Sequence, residues 1–190
     1  MTTLMKMEIK EMDETDLAQR AAADADAFAE LYRQNVTRVY RYHMAHTGNV
    51  KDAEDLTSQT FMAALEGIRS YRGSGSFAAW LMGIASRKKL MHLRGKRREV
   101  PLEDALHYPN PVLPTDKAAM QRLRLESISL ALRQITPERA EAIILIYFGG
   151  LSNGEAASVM KRSEASVKML VSRGLQDLRE RTSLRMEVEE

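Results

Sequence analysis

Apolar residues recur along this chain at intervals of three and four, the spacing that places side chains on one face of a helix. The first such segment contains Phe28, Leu31, Tyr32, Val36, Val39, Tyr40 and Met44. A second contains Ala53, Leu56, Phe61, Ala64, Leu65 and Ile68. A third follows the loop 73–76, where Ser76 is a suitable N-cap, and contains Phe77, Trp80, Leu81, Ile84 and Met91. No segment alternates with the period of a strand, so the pattern predicts helices only.

The C-terminal part of the chain has a more specific pattern. Helical spacing resumes with Leu125, Ile128, Leu132 and Ile135, and Thr136-Pro137 starts another helix. Ser152 and Glu155 then form a capping-box pair for a short helix with small inner residues. After the turn 161–163, Ser163 or Glu164 caps a longer second helix. This order predicts a helix-turn-helix, with an ordinary helical hairpin as the alternative.

In a helix-turn-helix, the second helix enters the major groove with its first turns. The side chains that we expect to contact DNA are Ser163, Glu164, Ser166, Lys168, Ser172 and Arg173.

Four of the five prolines lie between residues 99 and 116, a density that excludes a regular helix. We therefore predict an all-α protein of two small helical domains joined by a proline-rich linker. The predicted parts are an acidic, loosely ordered N-terminal arm (1–23), a first domain (24–98), the linker (99–123), the helix-turn-helix domain (124–182) and an acidic tail (183–190).

Composition limits the chemistry that this chain can perform. The absence of cysteine excludes disulfides and thiolate metal sites, and no apolar run resembles a signal peptide or a membrane span, so we expect a cytoplasmic protein. His43 and His46 lie one helical turn apart, but without a third ligand nearby we expect them to be surface or half-buried residues. With no recognisable catalytic pattern, we predict neither an enzyme nor a cofactor.

Positive charge is concentrated in one segment of an otherwise nearly neutral chain. Residues 67–98 contain nine Lys and Arg and no acid, whereas the whole chain has 28 basic and 26 acidic residues. Basic residues beside aromatic side chains are typical of surfaces that bind nucleic acid. The spacing of Phe77 and Trp80 nevertheless favours the core over a base-stacking role.

Four blocks, in order, resemble the compact extracytoplasmic-function (ECF) group of bacterial RNA polymerase sigma factors. They are DAFAELYRQNVTRVYRY, DAEDLTSQTFMAAL, YRGSGSFAAWLMGIASRKKLMHLR and ITPERAEAIILIYFGGLSNGEAASVMKRSEASVK. The resemblance covers about residues 24–98 and 124–181. It implies two-site promoter binding and strand opening on behalf of core RNA polymerase, together with regulation by an anti-sigma factor.

The resemblance also assigns site residues. The second block implies polymerase binding by Asp52, Glu54, Asp55, Gln59 and Thr60, although a solvated acidic face is the alternative. The third block implies contacts to the melted promoter strand by Ser74, Ser76, Arg87, Lys88, His92, Arg94, Lys96, Arg97 and Arg98.

Some positions depart from the usual pattern of the family. Ser86-Arg87 replaces a common Arg-Asn pair, Met91 replaces an Asp, Lys161 replaces the turn glycine, and Leu170 replaces a basic residue. Because of these changes, two alternatives stay open: weaker contact with DNA, and a sigma mimic that only sequesters an anti-sigma factor. A dimeric repressor is a third alternative, but it leaves residues 24–98 unexplained. If the chain is a sigma factor, we expect its two domains to pack together when inhibited and to separate on the polymerase.

Overall fold

The structure, a computed structural model, describes residues 14–98 and 116–188, with side chains described over 14–95 and 119–181. All regular elements in these ranges are helical, which confirms the all-α prediction. The α-helices are α1 (Glu14–Arg20), α2 (Ala25–Thr47), α3 (Val50–Gly67), α4 (Phe77–Arg98), α5 (Asp116–Leu132), α6 (Pro137–Tyr147), α7 (Asn153–Met160) and α8 (Glu164–Val188), with a 3₁₀ turn at Ile68–Ser70.

Local signals set the ends of the first long helices. The Asp24 carboxylate caps α2 by accepting from the backbone N–H groups of Asp26 and Ala27 at 2.9 and 3.2 Å. Gly48 ends α2 in the left-handed conformation (φ 60°), and Asn49 immediately caps α3. This pair of caps turns the chain sharply, so that α2 and α3 pack side by side.

The N-terminal domain is built around α2, α3 and α4. Leu31, Val39 and Leu81 are fully buried where these helices meet, and Phe77 is also fully buried. Trp80 is partly buried against Phe77, with ring centroids 5.5 Å apart. The prediction that Phe77 and Trp80 serve the core is confirmed.

The N-terminal arm differs from its prediction. Residues 14–20 form α1, whose Leu17 and Ala18 are each 1% exposed in the core, and Asn35 of α2 donates to the Glu14 carboxylate at 3.1 Å. The prediction of a loosely ordered arm is therefore wrong for this segment, because a single turn of apolar residues is enough to anchor it. Residues 1–13 lie outside the described part of the chain.

The predicted linker and tail are also too long. Helix α5 already begins at Asp116, and α8 continues to Val188, so helical backbone extends into both predicted segments. The residues there, mainly Ala, Met, Gln, Glu, Leu and Arg, have high helix propensity. The remaining linker residues, 99–115, lie outside the described ranges.

The helix-turn-helix is formed by α7 and α8. The capping box of Ser152 and Glu155 opens α7 as predicted, and Ala156 and Ala157 are buried where α7 packs on α8. Lys161 occupies the turn with φ 54° and ψ 48°, so the position where it replaces the turn glycine has a left-handed backbone. The backbone N–H of Ser166 donates to the Ser163 hydroxyl at 3.2 Å, so Ser163 caps α8.

The two domains pack against each other in this conformation. Helix α2 contacts α5 and α6, and α4 contacts α7, so buried apolar residues of both domains form one continuous cluster. Polar contacts cross the same boundary, among them a 2.6 Å hydrogen bond from the Arg133 guanidinium to the Thr47 carbonyl. Of the helices described, none is long and apolar enough to cross a membrane.

Candidate nucleic-acid and polymerase interfaces

The loop before α4 contains two glycines with positive φ. Gly73 and Gly75 have φ values of 72° and 90°, a region that residues with a Cβ rarely occupy, and the Tyr71 hydroxyl donates to the Gly75 carbonyl at 2.9 Å. Ser74 is exposed at the tip of the loop. Ser76 caps α4, because its hydroxyl accepts from the backbone N–H of Ala79 at 3.1 Å. The loop thus presents backbone and one hydroxyl to solvent beside the start of α4.

The basic residues of α4 have different environments. Arg87 and Arg94 are exposed, and Lys88 is half-buried. Lys89 is only 6% exposed and pairs with the carboxylate of Glu141 from the other domain. The described face therefore offers Arg87, Lys88 and Arg94 to a polyanion. Helix α4 continues through Lys96, Arg97 and Arg98, whose side chains lie outside the part that the structure describes.

His92 and Asp52 were predicted for two different partners, yet the structure brings them together. The Nε2 atom of His92 lies 3.6 Å from an Asp52 carboxylate oxygen, and both side chains are about four-fifths buried. This contact joins the last half of α4 to the first turn of α3. The candidate polymerase face and the candidate strand-binding face are therefore adjacent.

Most of the acidic residues predicted to bind the polymerase lie on the surface of α3. Glu54, Asp55 and Gln59 are exposed, but Thr60 is fully buried and its hydroxyl donates to the Leu56 carbonyl at 2.7 Å. The prediction that Thr60 lies on this contact surface is wrong, since its position follows the buried face of α3.

A groove beside this acidic face was not predicted. It has a volume of about 320 Å³ between α2 and α3, and it is lined by Tyr32, Val36, Thr37, Tyr40, Glu54, Thr57 and Ser58. Tyr32 is 43% exposed and packs edge-on against Phe61 at 4.7 Å. Helical spacing had placed Tyr32 and Tyr40 on the inner face of α2. The sequence therefore indicated their helix face but not that this face stays partly open.

The two histidines do not form a metal site. The prediction of a surface or half-buried position is wrong for His43, which is fully buried with Nε2 3.0 Å from the Thr60 hydroxyl. Burial lowers the pKa of His43 to about 3, so the ring is neutral at physiological pH. Across the described ranges, no group of His, Asp or Glu could hold a metal ion.

The exposed side of α8 carries the residues predicted to contact DNA. Ser163, Lys168, Ser172 and Arg173 are exposed, and Ser166 is half-buried in the first turn. Glu164 is exposed as well, and its carboxylate pairs with the Lys168 ammonium at 2.7 Å one turn along the helix. Five of the six predicted residues therefore lie at the surface of the second helix or its cap, namely Ser163, Glu164, Lys168, Ser172 and Arg173.

Comparisons with known proteins agree with both halves of this arrangement. The family described as Sigma-70 region 2 matches residues 31–99, and the family described as Sigma-70, region 4 matches residues 125–178. The chain is 34% identical to the ECF RNA polymerase sigma factor BldN of Streptomyces coelicolor over 86% of its own length, but it spans only 63% of that relative. It is 30% identical to the ECF RNA polymerase sigma factor SigM of Bacillus subtilis, covering 79% of this chain and 91% of SigM.

A solved structure has the same fold. CnrH, in complex with the cytosolic domain of CnrY, superposes with a TM-score of 0.71 at 21% identity, covering 93% of this chain and 99% of CnrH. The first matched region runs from within α2 to the end of α4 and the second from within α5 to within α8, and together they cover more than half of the chain. On this evidence, the chain belongs to the ECF family of RNA polymerase sigma factors.

Proposed function

We propose that this chain is an alternative sigma factor, which binds core RNA polymerase, recognises promoter DNA at two elements and promotes strand opening. The observation that supports this most is the arrangement around the start of α4. A glycine-bearing loop lies at one end of the helix, and Arg87, Lys88 and Arg94 follow along it without a neighbouring acid in the sequence.

This arrangement suits a separated DNA strand better than a duplex. A glycine loop lets the backbone approach an extruded base closely, and cations along a helix neutralise successive phosphates. A protein that binds only duplex DNA through a helix-turn-helix has no need for this second surface. The two surfaces together support recognition at two promoter elements.

The acidic face of α3 is the proposed polymerase contact. Glu54, Asp55 and Gln59 are exposed next to the Tyr32–Tyr40 side of the groove, so charged and apolar groups are available on one surface. An acidic face of this kind favours a basic partner surface and speeds association through electrostatic steering. We propose that core RNA polymerase supplies this partner surface.

A sigma mimic is the second candidate, and one feature of the recognition helix favours it. Lys168, the basic residue nearest the start of α8, already pairs with Glu164, which reduces the positive charge available to the upstream element. The exposed arginines of α4 favour initiation instead, because a protein that only sequesters an anti-sigma factor has no need to bind DNA. In either case we propose an anti-sigma factor as a partner, by analogy with CnrH and its complex with CnrY.

Binding of a pre-melted promoter distinguishes the two candidates. Chain reconstituted with core polymerase would be titrated with a fluorescent DNA duplex that contains an unpaired bubble, at several salt concentrations. We expect Arg87→Ala to weaken binding and to lower the salt slope by about 1, because one phosphate contact is lost. Arg124→Ala, which removes an exposed arginine of α5, is the matched control.

Initiation would be supported by a deficit in Arg87→Ala that Arg124→Ala does not share. Salt-independent binding that is equal in all three proteins would contradict the proposed strand contact. No binding above that of core polymerase alone would favour the mimic.

A further inference from the structure

A buried carboxylate lies between the two domains. Glu141 projects from α6, and its side chain is only 13% exposed. Tyr42 of α2 donates its hydroxyl to Oε1 at 2.8 Å, and the Ser86 hydroxyl of α4 donates to the same oxygen at 3.3 Å. The Lys89 ammonium of α4 donates to Oε2, and His46 Nε2 of α2 lies 3.1 Å from that oxygen. All four partners belong to the N-terminal domain.

This cluster is charged as well as buried. The Lys89 side chain is 8% exposed, and the Lys89 ammonium also lies 5.8 Å from the centre of the Tyr42 ring. Burial alone would raise the pKa of Glu141. The hydrogen-bonding and charge effects of His46 and Lys89 lower the pKa by more than burial raises it, so the net pKa lies well below the ordinary value. The carboxylate is therefore ionised at neutral pH and depends on the opposite domain for its partners.

A second polar contact lies at the other end of the interface between the domains. The Ser76 hydroxyl, which caps α4, also donates to the carboxylate of Glu155 at the start of α7. Helix α7 therefore covers one end of the candidate strand-binding loop. Two consequences follow for the α4 surface in this conformation: Lys89 is neutralised by Glu141, and the loop is partly covered by the helix-turn-helix domain.

We propose that Glu141 is an interdomain latch, which holds the helix-turn-helix domain closed over the loop and α4 and thereby limits the binding of a single strand. Opening the interface exposes the Glu141 carboxylate to water, releases Lys89 and frees Ser76. Arg87 and Arg94 stay exposed in the closed state, whereas Lys89 and Ser76 become available only on opening, so the open state binds the strand more tightly and the observed affinity falls as the closed fraction rises. The strand-binding part of this inference rests on the proposed function, whereas the domain closure does not.

The variant that tests the latch is Glu141→Gln. It keeps the size of the side chain and an oxygen acceptor for Tyr42, but it removes the charge that pairs with Lys89. Glu138→Gln is the matched control, since Glu138 is an exposed residue of the same helix. Lys89→Met combined with Glu141→Gln removes both buried charges together, so it provides a second variant should the single variant fold poorly.

Domain opening is measured first, in the full chain without DNA. Because the chain has no cysteine, spin labels can be placed at Met62→Cys of α3 and Ser158→Cys of α7, both exposed positions. We expect one distance population in the parent and in Glu138→Gln, and an added longer population in Glu141→Gln and in the double variant. Unchanged distances in both Glu141 variants would overturn the latch.

Strand binding is measured second, by fluorescence anisotropy with a labelled single-stranded oligonucleotide of mixed sequence. If the parent is open in about one chain in ten, losing the latch tightens binding by up to about tenfold. If the Glu141 variants show longer label distances but bind the strand no more tightly than the parent does, the inhibitory role of the latch is overturned. Longer distances in a chain that binds no strand at all would support the latch and refute the proposed function, so the two failures are distinguishable.

Discussion

Replacing Lys161 by glycine is predicted to stabilise the protein. Lys161 has φ 54° and ψ 48° at the end of α7, and it is the one non-glycine residue with positive φ in the described ranges. Left-handed backbone costs a residue with a Cβ about 1–2 kcal/mol relative to glycine. The greater freedom of glycine in the unfolded chain offsets about 0.5–1 kcal/mol of this. The side chain is exposed, so we expect a net gain of about 0.5–1 kcal/mol in the free energy of unfolding.

Lys168→Gly is the control for this substitution. It makes the same chemical change at an exposed position in regular helix of α8, so the unfolded state changes equally in both variants. We expect Lys168→Gly to lose about 1 kcal/mol from helix propensity and up to about 0.5 kcal/mol from its ion pair with Glu164. The free energies of unfolding of the two variants should therefore differ by about 1.5–2.5 kcal/mol, because Lys161→Gly raises this free energy and Lys168→Gly lowers it.

Urea denaturation followed by far-UV circular dichroism at pH 7 measures both variants. The expected result is a higher midpoint for Lys161→Gly and a lower midpoint for Lys168→Gly, with equal slopes. Equal destabilisation of the two variants would refute the left-handed assignment, since it would mean that both positions have right-handed backbone.

Two further changes test the packing. Gly174→Ala should destabilise the chain by up to about 2 kcal/mol, because the added Cβ would lie 2.8 Å from Ile143 Cδ1 and 3.1 Å from Arg139 Cβ where α8 crosses α6, a crowding cost of about 1–3 kcal/mol that exceeds the gain of about 1 kcal/mol in helix propensity; a thermal midpoint higher than that of the parent would contradict this contact. His43 should make stability depend on acid, since its folded pKa of about 3 lies below the unfolded value of about 6.5. As pH falls from 6.5 to 5, the unfolded chain becomes fully protonated at this residue while the folded chain stays neutral there, so the free energy of unfolding should fall by about 1.6 kcal/mol from this residue. His43→Asn should reduce the slope of stability against pH by about one proton below pH 6.5, and an unchanged slope in urea titrations would contradict the buried neutral ring.

The local features of the helix-turn-helix were predictable because their signals are local. The capping box of Ser152 and Glu155 and the cap at Ser163 each depend on residues within three positions. The core role of Phe77 was equally accessible, because helical spacing reports the buried face directly.

Burial of polar residues was not predictable in the same way. The buried Thr60 hydroxyl donates to the Leu56 carbonyl of its own helix and also lies 3.0 Å from His43 Nε2 of α2, so partners inside the fold make its burial possible. Considered alone in the sequence, a threonine beside serine and glutamine and a histidine near a helix end are both typical of the surface. The error at Thr60 therefore has the same physical origin as the error at His43.

The contact between the domains was the hardest feature to predict from the sequence. Glu141 is 99 residues from Tyr42 and 52 from Lys89 along the chain, and nothing in its immediate sequence marks it as buried. Lys89 belongs to the basic span but was not among the predicted strand contacts, and packing of α6 against α2 and α4 places it opposite a carboxylate. Helical spacing identifies one face of one helix, and it carries no information about which helices of another domain cover that face.

Transcription in a purified system tests the account most directly. The chain would be combined with core RNA polymerase on fragmented genomic DNA from its source, and transcript starts would be mapped by sequencing. If the chain initiates transcription as proposed, starts will fall at a restricted set of sites that share two spaced sequence elements, and they will be lost when Arg87 and Arg94 are both replaced by alanine. A pattern of starts identical to that of core polymerase alone would contradict the account.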